Sequence, residues 1–267
     1  MNLILAALLA AQVANLNDIP PDLVVPRIER LAPAAGVRAQ VQSHQVYLPS
    51  DWQQDRSWPV LVEFPGNGGF KNKLGDVSDG TPDGCVLGYG LSAGKGFIWL
   101  TLPFVNQDGS TSTKWWGDVE ATKNYCISAV NEVCQKWGGD SKRVVLLGFS
   151  RGAIACNYIG LHDDKISSLW CGMFCHSHYD GVRESWGYPG ADRVSAMTRL
   201  KRLAGRPQWI SHEGSATETR KWLESTGLTG DWTFHDLPFP NHSAGWVLRE
   251  TDSRRLAREW LRALVIR

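Results

Sequence analysis

The stretch Val144-Val145-Leu146-Leu147-Gly148-Phe149-Ser150-Arg151-Gly152-Ala153 reads VVLLGFSRGA. Four consecutive apolar residues run into a serine boxed by two glycines, and a helix-like segment follows. A short strand with no polar alternation is buried on both faces, which is the pattern of a parallel sheet. Gly-x-Ser-x-Gly recurs by chance, so the motif gains its meaning from its place between such a strand and a helix. A serine at the tip of that turn has strained backbone, its glycine neighbours admit close approach, and the helix start adds a positive dipole end.

The chain on either side repeats the same alternation. Upstream, strands are predicted over 41–48, over Trp58–Phe64 (WPVLVEF) and over 96–102 (GFIWLTL), with 70–94 as a long surface connection. A helix capped by Asp118 is predicted to run to about Trp137 and to end at Gly138-Gly139. Downstream, helices are predicted over 153–161, 194–203, 217–225 and 244–265, and strands over 168–175, 208–211 and 233–237. Strand, helix, strand, helix predicts an α/β fold: a mostly parallel sheet with helices on both faces, a three-layer sandwich. Nothing reads as a linker or repeat, so residues 41–267 are expected to be one domain, preceded by an N-terminal extension over 15–40.

The chain has 267 residues, 43% hydrophobic and 21% charged, enough to bury a sizeable core. With 28 basic against 27 acidic side chains and no charge block, neither nucleic acid nor a membrane surface is an expected partner. Leu3–Ala11 is an unbroken apolar run, too short to span a bilayer. It fits the core of a signal peptide over 1–14, with cleavage near Ala11 or after Ala14, and predicts a secreted or periplasmic protein. Cys126 and Cys134 lie roughly 12 Å apart along one helix, and Cys171 and Cys175 roughly 13 Å apart along one strand. Neither pair can bridge, and no C-x-x-C suggests a metal site. No metal or cofactor is expected. The 13 tryptophans exceed what a core needs, and Trp115, Trp116 and Trp186 are candidates to line a substrate pocket.

A nucleophilic serine needs a base, and an acid to orient that base. His242 follows the last strand in Pro238–Ser243 and is the candidate base. The acid has three candidates: Glu213, the first choice, comes directly off the strand at 208–211, Asp180 lies in the loop after the preceding strand, and Glu218 is explained as a capping-box partner of Ser215. Oxyanion donors are expected from the Arg151 amide and from the loop Pro65-Gly66-Asn67-Gly68-Gly69, with Asn67 as second donor. The Arg151 side chain could read a substrate carboxylate or pair with a structural one.

Val46–Pro49, Trp58–Gly66, the Gly148–Gly152 elbow and His242 together resemble the α/β-hydrolase superfamily, over roughly residues 41 to 265. Within it the chain is similar to secreted esterases of the polyhydroxybutyrate-depolymerase, feruloyl-esterase and acetylxylan-esterase kind. Pro65 stands where those esterases carry the His of a His-Gly-Gly-Gly motif, and the Ser150-Arg151 step is similar to glucuronoyl esterases. The resemblance implies a Ser-His-acid triad cleaving carboxylic esters of small molecules or polysaccharides without a cofactor. A peptidase of the same fold and an inactive carbohydrate-binding homologue are the alternatives.

Overall fold

The apolar run Val144–Leu147 lies in the longest strand of the protein, and its side chains divide the interior into two layers. Val144 and Leu146 point into one core, and Val145, Leu147 and Phe149 into the other. Period-two alternation of wholly apolar residues requires a covered sheet on both sides, and that is what surrounds this strand. The computed structural model of the chain describes residues 15–30 and 44–266. The expected signal peptide over 1–14 lies outside them.

Eight strands form one sheet: β1 (Arg27–Arg30), β2 (Gln45–Leu48), β3 (Trp58–Phe64), β4 (Ile98–Thr101), β5 (Gly139–Phe149), β6 (Gly172–His176), β7 (Gln208–Glu213) and β8 (Trp232–Leu237). Their spatial order is β1-β2-β4-β3-β5-β6-β7-β8. The two pairings made by β2 are antiparallel and the remaining five are parallel. Besides the single turn Asp164–Ser167, the α-helices among the described residues are α1 (Leu87–Ser92), α2 (Val119–Trp137), α3 (Arg151–Tyr158), α4 (Arg193–Leu200), α5 (Thr217–Ser225) and α6 (Asp252–Ile266). Residues of α2, α3, α4 and α5 share the core that holds Val144. Residues of α1 and α6 share the opposite core. No helix among the described residues is long and apolar enough to cross a membrane.

Helix α2 has the predicted caps: the Asp118 carboxylate accepts from the Ala121 amide at 2.8 Å, and Gly138 turns left-handed at φ 73°. Four expectations change. Arg27–Arg30, read as part of an N-terminal extension, is the edge strand of the sheet. The supposed surface connection over 70–94 contains the buried helix α1, held by Glu63 of β3, whose carboxylate accepts from the amides of Val86, Leu87 and Gly88 and from Trp99 Nε1. Burial pushes that carboxyl up to about 7 despite the four donors. The single last helix is instead a 3-10 turn, Ala244–Leu248, and then α6. Arg249 is extended between them, which lets Val247 seat on Gly90 of α1 while Ala257, Leu261 and Leu264 of α6 fill the core beneath. Finally, Ser215 does not make a capping box with Glu218: the residue before α5 is Ala216, whose amide bonds to the Asp236 carboxylate at 2.7 Å. All six cysteines are free thiols.

The glycines of the Ser150 turn are required by contact distances. A Cβ on Gly148 would lie 2.0 Å from the Gly152 carbonyl oxygen, and one on Gly152 would lie 2.1 Å from that of Phe64. Both clashes are with backbone, which cannot rotate away. Gly152→Ala should therefore cost about 2–3 kcal/mol, read as a lowered urea midpoint at unchanged m-value.

Candidate active site

Ser150 sits between β5 and α3 at φ 54° and ψ −117°. This is a costly conformation for a residue with a Cβ, and it is held on both sides. The Ser150 amide donates to the His176 carbonyl at 2.9 Å, and its carbonyl accepts from Ala153 and Ile154. The turn thrusts the hydroxyl out of the sheet's carboxyl edge toward the loop after β8.

That loop carries His242. Its neighbour Asn241 is buried and anchors it, accepting from the Leu16 amide at 2.9 Å and donating to the Asp76 carboxylate at 2.8 Å. The imidazole packs against Phe149 and, edge-on, Phe70, both at 4.9 Å between ring centres. His242 Nε2 is 3.0 Å from Ser150 Oγ, and His242 Nδ1 is 2.5 Å from Glu213 Oε1. Glu213 is the last residue of β7, so the strand itself aims the carboxylate. Of the three candidate acids only Glu213 meets His242. Asp180 is taken up by Arg199, at 2.8 Å and 3.1 Å, and by the Tyr188 hydroxyl at 2.9 Å. Glu218 lines a neighbouring cavity.

Three comparisons bear on the fold. No protein-family model matches the sequence, and no curated protein matches it. Solved structures do match: a fungal esterase from Rhizomucor miehei aligns at a TM-score of 0.60 with 13% identity, over 97% of this chain and 87% of that one. Esterase 2 of Thermogutta terrifontis, phosphoramylated by tabun, aligns at 0.56 with 15% identity, over 92% of this chain and 96% of that one. The isopeptidase AtxE2 aligns at 0.56 with 15% identity over 91% of this chain, which spans only 40% of the isopeptidase. The chain has the α/β-hydrolase fold.

On an α/β-hydrolase sheet ligands enter at the carboxyl ends of the strands, and a cavity of about 400 Å³ opens there over Ser150 and His242. Asn67, Lys114, Trp115, His178 and Trp186 are among its walls, and no Asp or Glu is. The two tryptophans of the 106–117 loop part company. Trp115 lines the cavity, whereas Trp116, expected there too, is 3% exposed and stacks on Tyr158 in the core at 4.7 Å. The two rings touch each other and both meet Tyr188, but only Trp116 reaches Phe104 and Tyr158 in the interior, which leaves Trp115 at the rim.

The proposed oxyanion donors both border the cavity. Arg151 is the first residue of α3, where a helix leaves its amide without an intrahelical acceptor. Asn67 Oδ1 accepts from the Trp115 amide at 2.9 Å, tying the two loops together. The Gly68 amide is spent on the Thr113 carbonyl, so Gly68 is not a donor here.

The Arg151 side chain neither faces a carboxylate nor projects as a free cation. It is 1% exposed, lies 4.0 Å over the Phe104 ring, and donates to the carbonyls of Trp115 (2.5 Å), Gly80 (3.2 Å) and Ser112 (3.4 Å). A planar fork bridging two loops is what guanidinium geometry allows and an ammonium does not. The residue after the serine thus staples the cavity wall to the elbow.

Sequence reasoning passed over three residues. Ser177 touches both Glu213 and His242. Asn241 anchors the His242 loop. His178 lies 5.1 Å from the His242 ring, centre to centre. Only Asn241 had a local signal, its place beside His242.

The charges fall in a consistent pattern. Burial would raise the Glu213 carboxyl, but the hydrogen bond from His242 and the surrounding imidazoles outweigh it and hold the group at about 2, below the usual 4.5. Burial pulls His176 down to about 4, and burial with the His242 charge pulls His178 to about 3, from 6.5. His176 is satisfied as the neutral ring, bonding to Ser211 Oγ and the Ser243 carbonyl at 3.1 Å each.

Two predictions follow from these contacts. Arg151→Lys should lower stability by about 1.5–3 kcal/mol, seen in urea unfolding, because a point charge cannot hold carbonyls on both loops. Stability should also fall on acidification in stages. Each group has a folded pKa below its unfolded one, so the histidines contribute fully above pH 6.5 and lose this as pH falls to about 4 and 3. Glu213 contributes fully above 4.5 and loses this near 2. Urea midpoints measured from pH 8 to pH 3 should show the decline, and His176→Gln should flatten it between pH 6.5 and 4.

Proposed function

We propose that this protein is a serine hydrolase of carboxylic esters, with Ser150 as nucleophile, His242 as base and Glu213 as acid. The observation that carries the reading is the unbroken chain from Ser150 Oγ to His242 Nε2 (3.0 Å) and from His242 Nδ1 to Glu213 Oε1 (2.5 Å), beginning at a serine in strained backbone. With Nδ1–H directed at Glu213, Nε2 presents its lone pair to the serine hydroxyl. His242 takes the Ser150 proton as Oγ bonds to the acyl carbon. The tetrahedral oxyanion meets the Arg151 amide and a donor of the Asn67 loop. Imidazolium returns the proton to the alkoxide leaving group, and the C–O bond to the alcohol breaks. Water, deprotonated by His242, then releases the acid from the acyl-enzyme.

Carbohydrate-linked or polymer-derived esters are the substrates we favour, because Trp115 and Trp186 offer flat aromatic faces beside the nucleophile. An aminopeptidase is disfavoured by the cavity walls: they hold no Asp or Glu to bind a substrate ammonium. The purified protein should hydrolyse p-nitrophenyl acetate or butyrate and be labelled at Ser150 by a fluorophosphonate. Ser150→Ala should lose at least roughly a thousand-fold in kcat. Ester turnover that survives this substitution, or a wild-type protein that is neither active nor labelled, overturns the proposal.

A further inference from the structure

Ser177 follows β6 with φ 85°, the most positive of the five left-handed non-glycine residues among those described. Nothing in its side chain favours that conformation, yet it is locked there by the bond from its amide to the Ser211 carbonyl at 2.7 Å. The left-handed backbone brings a buried hydroxyl between the two groups that meet at His242 Nδ1. Ser177 Oγ donates to Glu213 Oε1 at 2.9 Å and lies 2.9 Å from His242 Nδ1.

A serine hydroxyl has one proton and two lone pairs. When the proton goes to Glu213, Oγ can meet Nδ1 only as an acceptor, so Nδ1 must itself carry hydrogen. A neutral imidazole protonated at Nδ1 is unprotonated at Nε2, the atom that faces Ser150. Glu213 has little else to hold it: its other oxygen, Oε2, is buried and accepts no hydrogen bond. Both of the bonds to its carboxylate arrive at Oε1, one from His242 and one from Ser177.

We propose that Ser177 is a positioning residue that selects the Nδ1–H form of His242 and fixes the Glu213 carboxylate against it. This rests on the esterase reading for its effect on turnover, but the hydrogen-bond arrangement does not depend on turnover. Its strained backbone places the hydroxyl within 2.9 Å of both groups.

The test compares the full-length protein with Ser177→Gly and Ser177→Ala. Glycine removes the hydroxyl and relieves the left-handed strain, and alanine removes the hydroxyl alone. Both should lower kcat on p-nitrophenyl butyrate roughly ten- to a hundred-fold, the loss of a hydrogen bond to a charged group, with KM little changed. Ser177→Gly should melt at or above the wild-type temperature, separating this loss from unfolding. The low-field proton NMR resonance of His242 Nδ1–H, assigned by its disappearance in His242→Gln, should shift or broaden in both variants. Wild-type kcat with an unmoved resonance in the folded variants would overturn the proposal, as would unfolding of both, which would make the role purely structural. If the wild type hydrolyses no ester, the esterase reading fails, while the resonance still decides the role of Ser177.

Discussion

Backbone contact at the elbow is the constraint on which the rest of the molecule depends. Gly148, Gly152 and the Phe64 carbonyl approach so closely that no Cβ fits at either glycine. That contact welds β5, α3 and β3 into one unit and forces Ser150 into left-handed backbone. Once Ser150 is there, its hydroxyl leaves the sheet at the carboxyl ends of the strands, and the cavity, His242 and Glu213 assemble around that point. The strain is affordable because β3 and β5 are buried along the run that leads to it, with Val60, Leu61, Val62, Val145 and Leu147 wholly withdrawn from water.

The site manages its charges by assigning one state to each group. Glu213 is kept ionised by donors and imidazoles, while His176 and His178 are kept neutral by burial. His242 lies between Glu213 and Ser150. Arg151 follows the same logic from the other side. Its buried guanidinium is met by carbonyl dipoles instead of a carboxylate, and it holds the wall that carries Trp115.

Second-layer contacts reach far along the chain. Asn241 draws Leu16 and Asp76 to the base loop, and Glu63 draws the start of α1 onto β3. These bonds join residues more than twenty positions apart, in segments with no regular periodicity. They explain why the stretch over 70–94 and the residues near Leu16 belong to the folded domain, although their composition reads as connection and extension.

The sequence by itself determined most of the strands and helices, the elbow, and the candidate serine and histidine, because each follows from local physics: apolar period, caps, glycine at a close approach, and the place of a loop after a strand. Glu213 was legible as the first choice among three acids. Sequence order could not separate them, since the separation depends on Arg199 reaching Asp180 and on β7 aiming Glu213 at His242. Only the tertiary structure decided which of Trp115 and Trp116 faces the cavity, that Arg151 is a staple, and that Ser177 meets both His242 and Glu213. Each of these is set by partners from distant segments, and a backbone twist such as φ 85° at a serine has no signature in residue type.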